Sequence, residues 1–326
     1  MATPMSAEPE YDVTTVGETL LRISVAPGAT LETAGQAALH AGGSESNVAC
    51  ALARLGRRVA WHSRLPRQPL GRHIANTLRE AGIDLSLVEW CDDGRLGTYY
   101  VELRLPPTPV RVVYDRADSC ASHMAPGTLP VEALLRTRLL HLTGITPALS
   151  TSCREAMLEL AEAARRRCVP FSLDLNYRRK LWAPDEARET LLKLGQGAAM
   201  LFSARADAGE VLGLEGDPAS MVRDLRDAFE ARVAVLSLGR DGLVAWDGET
   251  LLRRPAAESS VIDRLGAGDA QAAGIIHGWL DGDLAGGLEI GTALAALCLR
   301  TDGDAVVIHP DDLPEIVAAD SARPLR

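Results

Sequence analysis

The chain lacks several features that would define its function at once. No uninterrupted apolar run approaches the roughly 20 residues that span a bilayer, so we exclude a membrane-spanning segment. The six cysteines show no C-x-x-C spacing, which argues against a zinc or dithiol site. Acidic residues outnumber basic ones by 44 to 34, and the resulting charge of −10 disfavours binding to nucleic acid. Binding of small-molecule ligands is not excluded by these observations.

Common nucleotide-binding and hydrolase motifs are also missing. The sequence contains no G-x-G-x-x-G, no G-x-x-x-x-G-K-[ST], no H-E-x-x-H and no G-x-S-x-G. All but two of the 34 basic residues are arginine, and neither lysine, Lys180 or Lys193, follows a glycine loop. A Rossmann dehydrogenase and a P-loop nucleotidase are therefore disfavoured. The first ten residues carry no basic and apolar export signal, and with the scattered cysteines they predict a reduced, cytoplasmic protein.

Short apolar runs alternate with helix-length stretches along most of the chain. Strands are predicted at 11–16, 58–63, 139–143, 169–173, 200–202 and 233–237. Helices are predicted at 46–55, 71–81, 150–167, 185–194 and 218–229. This alternation predicts an α/β fold, a doubly wound and mainly parallel sheet with helices on both faces. We expect one domain over residues 11–317, with loose termini at 1–10 and 318–326.

Two stretches depart from this alternation. Residues 20–25 and 97–117 alternate apolar and polar side chains with no helix between strands, and three prolines (Pro106, Pro107 and Pro109) indicate a hairpin-like connection. We predict a small, half-exposed β-sheet built from about 17–38 and 95–118, which projects from the main body and covers a cleft.

The segment 261–274 carries the strongest chemical signal. A Gly266-Ala267-Gly268 turn leads directly into a helical pattern and so presents unpaired backbone N–H groups, which attract anions. Asp269 lies in the first turn, where its carboxylate could take a proton from an attacking hydroxyl. In isolation, a helix-capping aspartate after a glycine turn is the favoured explanation of the pattern.

A second glycine-rich element precedes a helix at 41–47. Gly43 would let a ligand approach the bare backbone, and Asn47 would offer a donor and an acceptor to sugar hydroxyls. A tight turn with capping residues is the alternative.

Together, AGGSESNVACALARLG and DRLGAGDAQAAG resemble the two signature segments of the ribokinase-like (PfkB) carbohydrate kinase family, and the likeness spans about residues 11–310. The resemblance implies a doubly wound α/β core with a small β-sheet lid. It also implies transfer of the γ-phosphoryl group of ATP, with Mg²⁺, to a sugar alcohol. Asp269 would then be the catalytic base, and Gly266, Ala267 and Gly268 would form the anion hole.

Three further segments resemble the 2-keto-3-deoxygluconate kinases of that family: D-x-N-x-R-x-x-L-W from Asp174, Y-x-R from Tyr114, and 301–304. This resemblance implies that Arg116 and Arg178 hold the substrate, with Tyr99 and Tyr114 nearby and Asp304 closing the acceptor site. An arginine fork suits the carboxylate that a sugar acid carries and a neutral sugar lacks. Without the family context, Arg178 belongs to a solvated basic run.

The nucleotide side has weaker signals. Ser237, Gly239 and Gly242 lie in a turn after a strand, similar to the family's G-x-x-G turn beside ATP, although a plain hairpin explains it as well. Small residues in 270–274 and 288–298 would leave a slot for adenine, and core packing is the alternative.

The chain departs from the family at two positions. Where the family has N-x-x-E, this chain has 204–207, so Asp207 keeps a carboxylate that could act on magnesium through water while the amide is replaced by Ala204. Gln271 replaces a phenylalanine.

We therefore hypothesise an ATP-dependent kinase that phosphorylates the terminal (C6) hydroxyl of 2-keto-3-deoxygluconate or a close relative. The alternatives are a neutral-sugar or nucleoside kinase of the same fold, or a catalytically idle sugar-binding or regulatory protein. We expect a homo-oligomer formed through the lid, and a monovalent-cation requirement stays open.

Overall fold

A computed structural model of the chain describes residues 8–104, 108–257 and 259–321. Its strands are β1 (Tyr11–Val16), β2 (Leu20–Val25), β3 (Ala38–Gly42), β4 (Val59–His62), β5 (Arg64–Pro66), β6 (Glu89–Cys91), β7 (Thr98–Glu102), β8 (Arg111–Asp115), β9 (Thr137–Thr143), β10 (Phe171–Asp174), β11 (Met200–Ala204), β12 (Val233–Ser237), β13 (Leu243–Trp246) and β14 (Leu251–Arg254). Its helices are α1 (Ser44–Arg54), α2 (Pro69–Glu80), α3 (Val131–Leu134), α4 (Thr151–Arg166), α5 (Pro184–Gly195), α6 (Arg205–Leu212), α7 (Pro218–Phe229), α8 (Ala267–Leu280), α9 (Leu284–Cys298) and α10 (Leu313–Ser321).

The main sheet has eight strands in the order β14-β13-β12-β11-β10-β9-β1-β4. The six strands from β12 to β4 run parallel, whereas β13 and β14 continue the sheet antiparallel at one edge. The predicted mainly parallel α/β architecture is confirmed. The two edge strands were not predicted.

Helices cover both faces of this sheet. Neighbouring residues of one strand point to opposite faces, so Leu139 packs in the cluster that contains α1, α2, α8 and α9, while Leu140 packs in the cluster that contains α4, α5 and α7. Both side chains are fully buried. Each face of the sheet therefore has its own hydrophobic core, as a doubly wound fold requires.

A separate small sheet contains four strands in the order β3-β2-β7-β8. The prediction of a small separate sheet is therefore confirmed. Strand β8 is mostly exposed, whereas β2 is mostly buried. Two prolines of the predicted connection, Pro106 and Pro107, lie outside the described residues.

The carboxy-terminal boundary needs a correction. Residues 318–326 were predicted to be loose, but α10 continues to Ser321 because Leu313 and Ile316 pack against the core and anchor the helix. Residues 1–7 and 322–326 lie outside the described part of the chain, and the proposed domain limits of 11–317 stay a prediction. Within the described residues, every helix is too short or too polar to cross a bilayer.

The parallel strands end at one edge of the main sheet, and their carboxyl ends place the polar residues that follow them side by side. Glu18 follows β1, Asp174 ends β10, Asp207 lies in the first turn after β11, and Ser237 ends β12. The amino-terminal part of α8 comes to the same edge, since Gln271 on α8 accepts a hydrogen bond from Ser237 at the end of β12.

Candidate active site

The turn before α8 is fixed by a hydrogen bond and by close packing. Buried Asp263 accepts the hydrogen bond from the Leu265 N–H at 3.0 Å. Gly266 has a left-handed φ of +80°. A Cβ on Gly266 would overlap the carbonyl oxygen of Asp304. Among the residues that the structure describes, no side chain caps this helix, and its first backbone bond runs from Ala270 N–H to Gly266 O. The earlier amides of the turn are thus placed to bind an anion.

We expect Gly266→Ala to lower the free energy of unfolding by about 2 kcal/mol, because the turn needs both the left-handed backbone and the space. Gly268→Ala is the matched control, since a Cβ there meets nothing within 4 Å. Urea unfolding of the two variants measures the difference. An equal stability for both would show that the turn at Gly266 is not constrained.

Asp269 is 9% exposed, and each of its carboxylate oxygens accepts one hydrogen bond. Ser44 donates to Oδ1 at 2.6 Å, and the Asn47 amide donates to Oδ2 at 2.7 Å. Asn176 donates to the same Ser44 hydroxyl at 2.7 Å and so orients it. Burial raises the pKa of Asp269 to about 6, although the bonds from Ser44 and Asn47 and the charge of Arg178 lower it. The carboxylate is mostly ionised at neutral pH and can accept a proton.

Activity that depends on ionised Asp269 should fall as the pH drops through about 6. We expect Ser44→Ala to move this acidic limb of kcat/KM upward by about one pH unit, because the variant loses a hydrogen bond that favours the charged form. Ser46→Ala is the control, since its hydroxyl bonds Gly43 O and Thr19 rather than Asp269. An unmoved limb in Ser44→Ala would remove Asp269 as the group that titrates.

Two cavities meet at this turn. Ala267 and Gly268 line the larger one, of about 870 Å³, together with the predicted nucleotide residues Ser237, Gly239 and Gly242. The smaller cavity is lined by the predicted acceptor-side residues, namely Gly43, Asn47, Tyr99, Tyr114, Arg116, Arg178, Gly266, Asp269 and Asp304. The turn therefore lies between a large cavity, lined by Ala267 and Gly268, and a small one, lined by Gly266 and Asp269.

The two arginines of the smaller cavity differ in charge balance. Arg116 donates to Oε2 of buried Glu18 from Nε at 2.8 Å and from a terminal nitrogen, and Ser119 donates to Oε1. Arg178 makes no ion pair with any residue in the described ranges, and its side chain is exposed. Arg178 thus keeps its guanidinium N–H groups without a carboxylate partner among the described residues, although its charge lowers the pKa of nearby Asp269.

Gly43 and Asn47 serve the protein's own packing more than predicted. The space that a Cβ on Gly43 would need is filled by the backbone of Glu18 and Thr19, and approach of a ligand to the Gly43 backbone stays a prediction. The Asn47 amide donates to Asp269, and its oxygen lies 3.4 Å from the Gly43 nitrogen. Binding of sugar hydroxyls by Asn47 stays a prediction.

Asp304 links the small sheet to the turn. Tyr99 on β7 donates to its Oδ2 at 2.6 Å, and buried Arg22 on β2 donates to its Oδ1 at 2.5 Å. Arg22 also pairs with Asp263 at 2.5 Å. Tyr114 stacks on Tyr99 with ring centres 5.5 Å apart. The carboxylate of Asp304 is thus already bonded to the sheet, and its contact with substrate stays a prediction.

The structure gives Gln271 a role that the sequence did not. Its Oε1 accepts a hydrogen bond from the Ser237 hydroxyl at 2.6 Å, which ties the first turn of α8 to the end of β12. Helix α9 contributes Thr292, Ala295 and Ala296 to the larger cavity, consistent with the predicted slot of small residues.

Sequence reasoning missed several residues of the site, among them Ser44, Asn176, Glu18 and Arg22. Ser44 and Asn176 lie inside quoted motifs, so their motif membership was a usable signal. Arg22 and Glu18 have no such signal, because their partners are distant in the chain: Arg22 bonds Asp304 at a separation of 282 residues.

Comparison with known proteins agrees with this geometry. Residues 11–310 match the model of the pfkB family carbohydrate kinases. The chain is 36% identical to a 2-dehydro-3-deoxygalactonokinase of Haloferax volcanii, over 95% of this chain and 98% of that protein. It is 30% identical to a 2-dehydro-3-deoxygluconokinase of Thermoproteus tenax, over 96% of each.

Solved structures share the fold. The 2-dehydro-3-deoxygluconokinase of Thermotoga maritima superposes with a TM-score of 0.88 at 27% identity and covers 94% of this chain and 98% of its own. A putative ribokinase II from E. coli, in complex with ATP and Mg²⁺, has a TM-score of 0.86 at 15% identity, over 94% of this chain and 99% of that one. On the family match over residues 11–310, the chain belongs to the pfkB family of carbohydrate kinases.

Proposed function

We propose that the chain transfers the γ-phosphoryl group of ATP to the terminal (C6) hydroxyl of 2-keto-3-deoxygluconate or its C4 epimer. The observation that carries this proposal is the position of the turn, with Asp269 on the smaller cavity and Ala267 and Gly268 on the larger one. A carboxylate on one side and the amino terminus of a helix on the other suit a hydroxyl acceptor and a phosphate donor.

In the proposed reaction, the C6 oxygen attacks the γ-phosphorus while Asp269 takes the hydroxyl proton. The bond between the γ-phosphorus and the β–γ bridging oxygen breaks, and ADP leaves with the electron pair. The amides of the Gly266–Gly268 turn stabilise the charge on the transferred group. Asn176, Ser44 and Asn47 keep the carboxylate oriented before the reaction.

Arg178 is the residue that favours a sugar acid over a neutral sugar. Arg178 forms no ion pair within the described residues, whereas Arg116 is paired with Glu18. A substrate carboxylate would therefore find the N–H groups of Arg178 available for a charge-assisted bond. The relatives' names, which specify keto-deoxy sugar acids, support the same substrate class.

The acidic residues of the site fit a hydrated Mg²⁺. Burial and the charges of Asp269 and Asp207 raise the pKa of Asp174 to about 8, so a nearby divalent cation would relieve their repulsion. Within the described ranges, no three His, Cys, Asp or Glu side chains cluster as a metal site. Asp174 and Asp207 would therefore hold the ion through water. When bound to ATP, Mg²⁺ neutralises phosphate charge.

The small sheet would act as the lid of the site. Tyr99 and Arg22 connect it to Asp304, which lies behind the Gly266 turn, so the sheet covers the acceptor cavity and would limit wasteful hydrolysis by excluding water. Joining of two chains through this sheet stays a prediction.

A coupled assay of ADP release tests the function. The panel contains 2-keto-3-deoxygluconate, its C4 epimer, neutral hexoses and nucleosides, each with ATP and Mg²⁺ and with or without K⁺. We expect ADP release with the keto-deoxy acids. Release with only a neutral sugar or a nucleoside would move the chain to another substrate class. A sugar acid that raises Tm without ADP release would favour a binding protein.

A further inference from the structure

The larger cavity carries an unusual set of charges for an acidic protein. Of the described residues that line it, two are charged, and both are arginines, Arg240 and Arg264. The others are glycine, alanine, serine or further neutral residues, so no acidic side chain on the described wall balances the arginines. A cavity with this wall attracts an anion.

Both arginines are free to meet a ligand. Neither forms a hydrogen bond or an ion pair with the residues at 8–104, 108–257 or 259–321, and both are exposed. Other exposed arginines, such as Arg188, also have no ion pair within the described residues, and what distinguishes Arg240 and Arg264 is that they line the cavity.

The backbone around Arg264 is held in place. Its neighbour Asp263 is fully buried, pairs with Arg22 and accepts from the Leu265 N–H. Gly266 then packs against the Asp304 carbonyl. The backbone of Arg264 is therefore fixed, two residues before Gly266, where the anion-binding turn begins. Arg240 instead lies in the turn after β12, away from α8 in the chain.

We propose that Arg264 binds the γ-phosphate of ATP and neutralises the charge of the phosphoryl group as it is transferred. This inference rests on the proposed function. A guanidinium donates several N–H groups to phosphate oxygens and stays protonated throughout. Arg264 thus adds a fixed positive charge to the backbone amides of Ala267 and Gly268, in a chain whose two lysines lie elsewhere. As the bond to the leaving oxygen breaks and the bond to the sugar oxygen forms, Arg264 exchanges no proton.

Direct binding of ATP, ADP and adenosine, each without sugar, tests this assignment by calorimetry on wild type and Arg264→Gln. We expect the variant to bind ATP roughly tenfold or more weakly, because a charged hydrogen bond is lost. ADP should weaken by roughly threefold or less and adenosine should not change, since neither carries a γ-phosphate. Arg264→Lys should recover part of the ATP affinity. Arg188→Gln on α5, also exposed but not among the residues that line either cavity, should match wild type.

Equal weakening of all three ligands would overturn the proposal, because it would indicate a structural role for Arg264. Unchanged ATP affinity would overturn it as well. So would an ATP-specific loss in Arg240→Gln but not in Arg264→Gln. The wild-type assay of ADP release distinguishes failure of the proposed function. If Arg264→Gln loses more affinity for ATP than for ADP, but wild type releases no ADP in the presence of the sugar acids, the Arg264 assignment stands and the sugar-acid kinase is rejected.

Discussion

Replacing Asp269 by asparagine is expected to lower kcat by roughly two orders of magnitude or more, because the side chain can no longer accept the hydroxyl proton. The shape of the site should survive. Asparagine can place its oxygen toward the Asn47 amide and its NH₂ toward the Ser44 hydroxyl, which would then accept both that NH₂ and Asn176. Steady-state ADP release measures the loss.

Two controls separate loss of chemistry from loss of structure. Tm of Asp269→Asn should stay close to that of wild type, and KM for the sugar acid should change little, since Arg178 and the rest of the cavity are intact. If turnover stays near normal, Asp269 is not the base. If turnover and Tm fall together, the carboxylate has a structural role.

Arg178→Gln is expected to lower kcat/KM for 2-keto-3-deoxygluconate by about 3 kcal/mol, or roughly a hundredfold, because the substrate carboxylate loses its counter-charge. Arg179→Gln is the matched control. Arg179 is the next residue, but it is 78% exposed on its side chain, pairs with Glu210 at 2.8 Å and does not line the cavity. It should act like wild type on every substrate.

A neutral ketohexose provides the second comparison. Arg178→Gln should leave its poor turnover unchanged or slightly improve it, since no carboxylate is lost as a partner. An equal loss for the acid and the neutral sugar would show that Arg178 shapes the cavity without recognising charge. A loss in Arg116→Gln alone would transfer carboxylate recognition to Arg116, despite its bond with Glu18.

The alternation of apolar runs and helices was sufficient to predict the main sheet, because short continuous apolar runs indicate strands that are buried on both faces. The helix at Pro218–Phe229 was predicted at its observed limits, since Pro218 stands at the first position and Asp217 caps it. Strands β13 and β14 were missed because a glycine turn after β12 gives no sign of whether the chain stays in the sheet.

The site was predictable where chemistry lies within one motif. Gly266 to Asp269 showed both the anion-binding turn and the carboxylate. The residues that orient the carboxylate were not predictable in their contacts, since Ser44 and Asp269 lie 225 positions apart and meet only in the fold. The pairing of Arg116 with Glu18 could not be predicted from the sequence either. It decides which of the two arginines stays without an ion pair among the described residues.

We propose that Asp269 and the turn before it bring a sugar hydroxyl to the terminal phosphate of ATP. Phosphorus and carbon NMR of wild-type enzyme with ATP, Mg²⁺ and 2-keto-3-deoxygluconate tests this in one sample. We expect equal amounts of ADP and one phosphomonoester whose phosphorus couples to C6. ADP accompanied only by inorganic phosphate, or phosphate on another oxygen of the sugar acid, would contradict it.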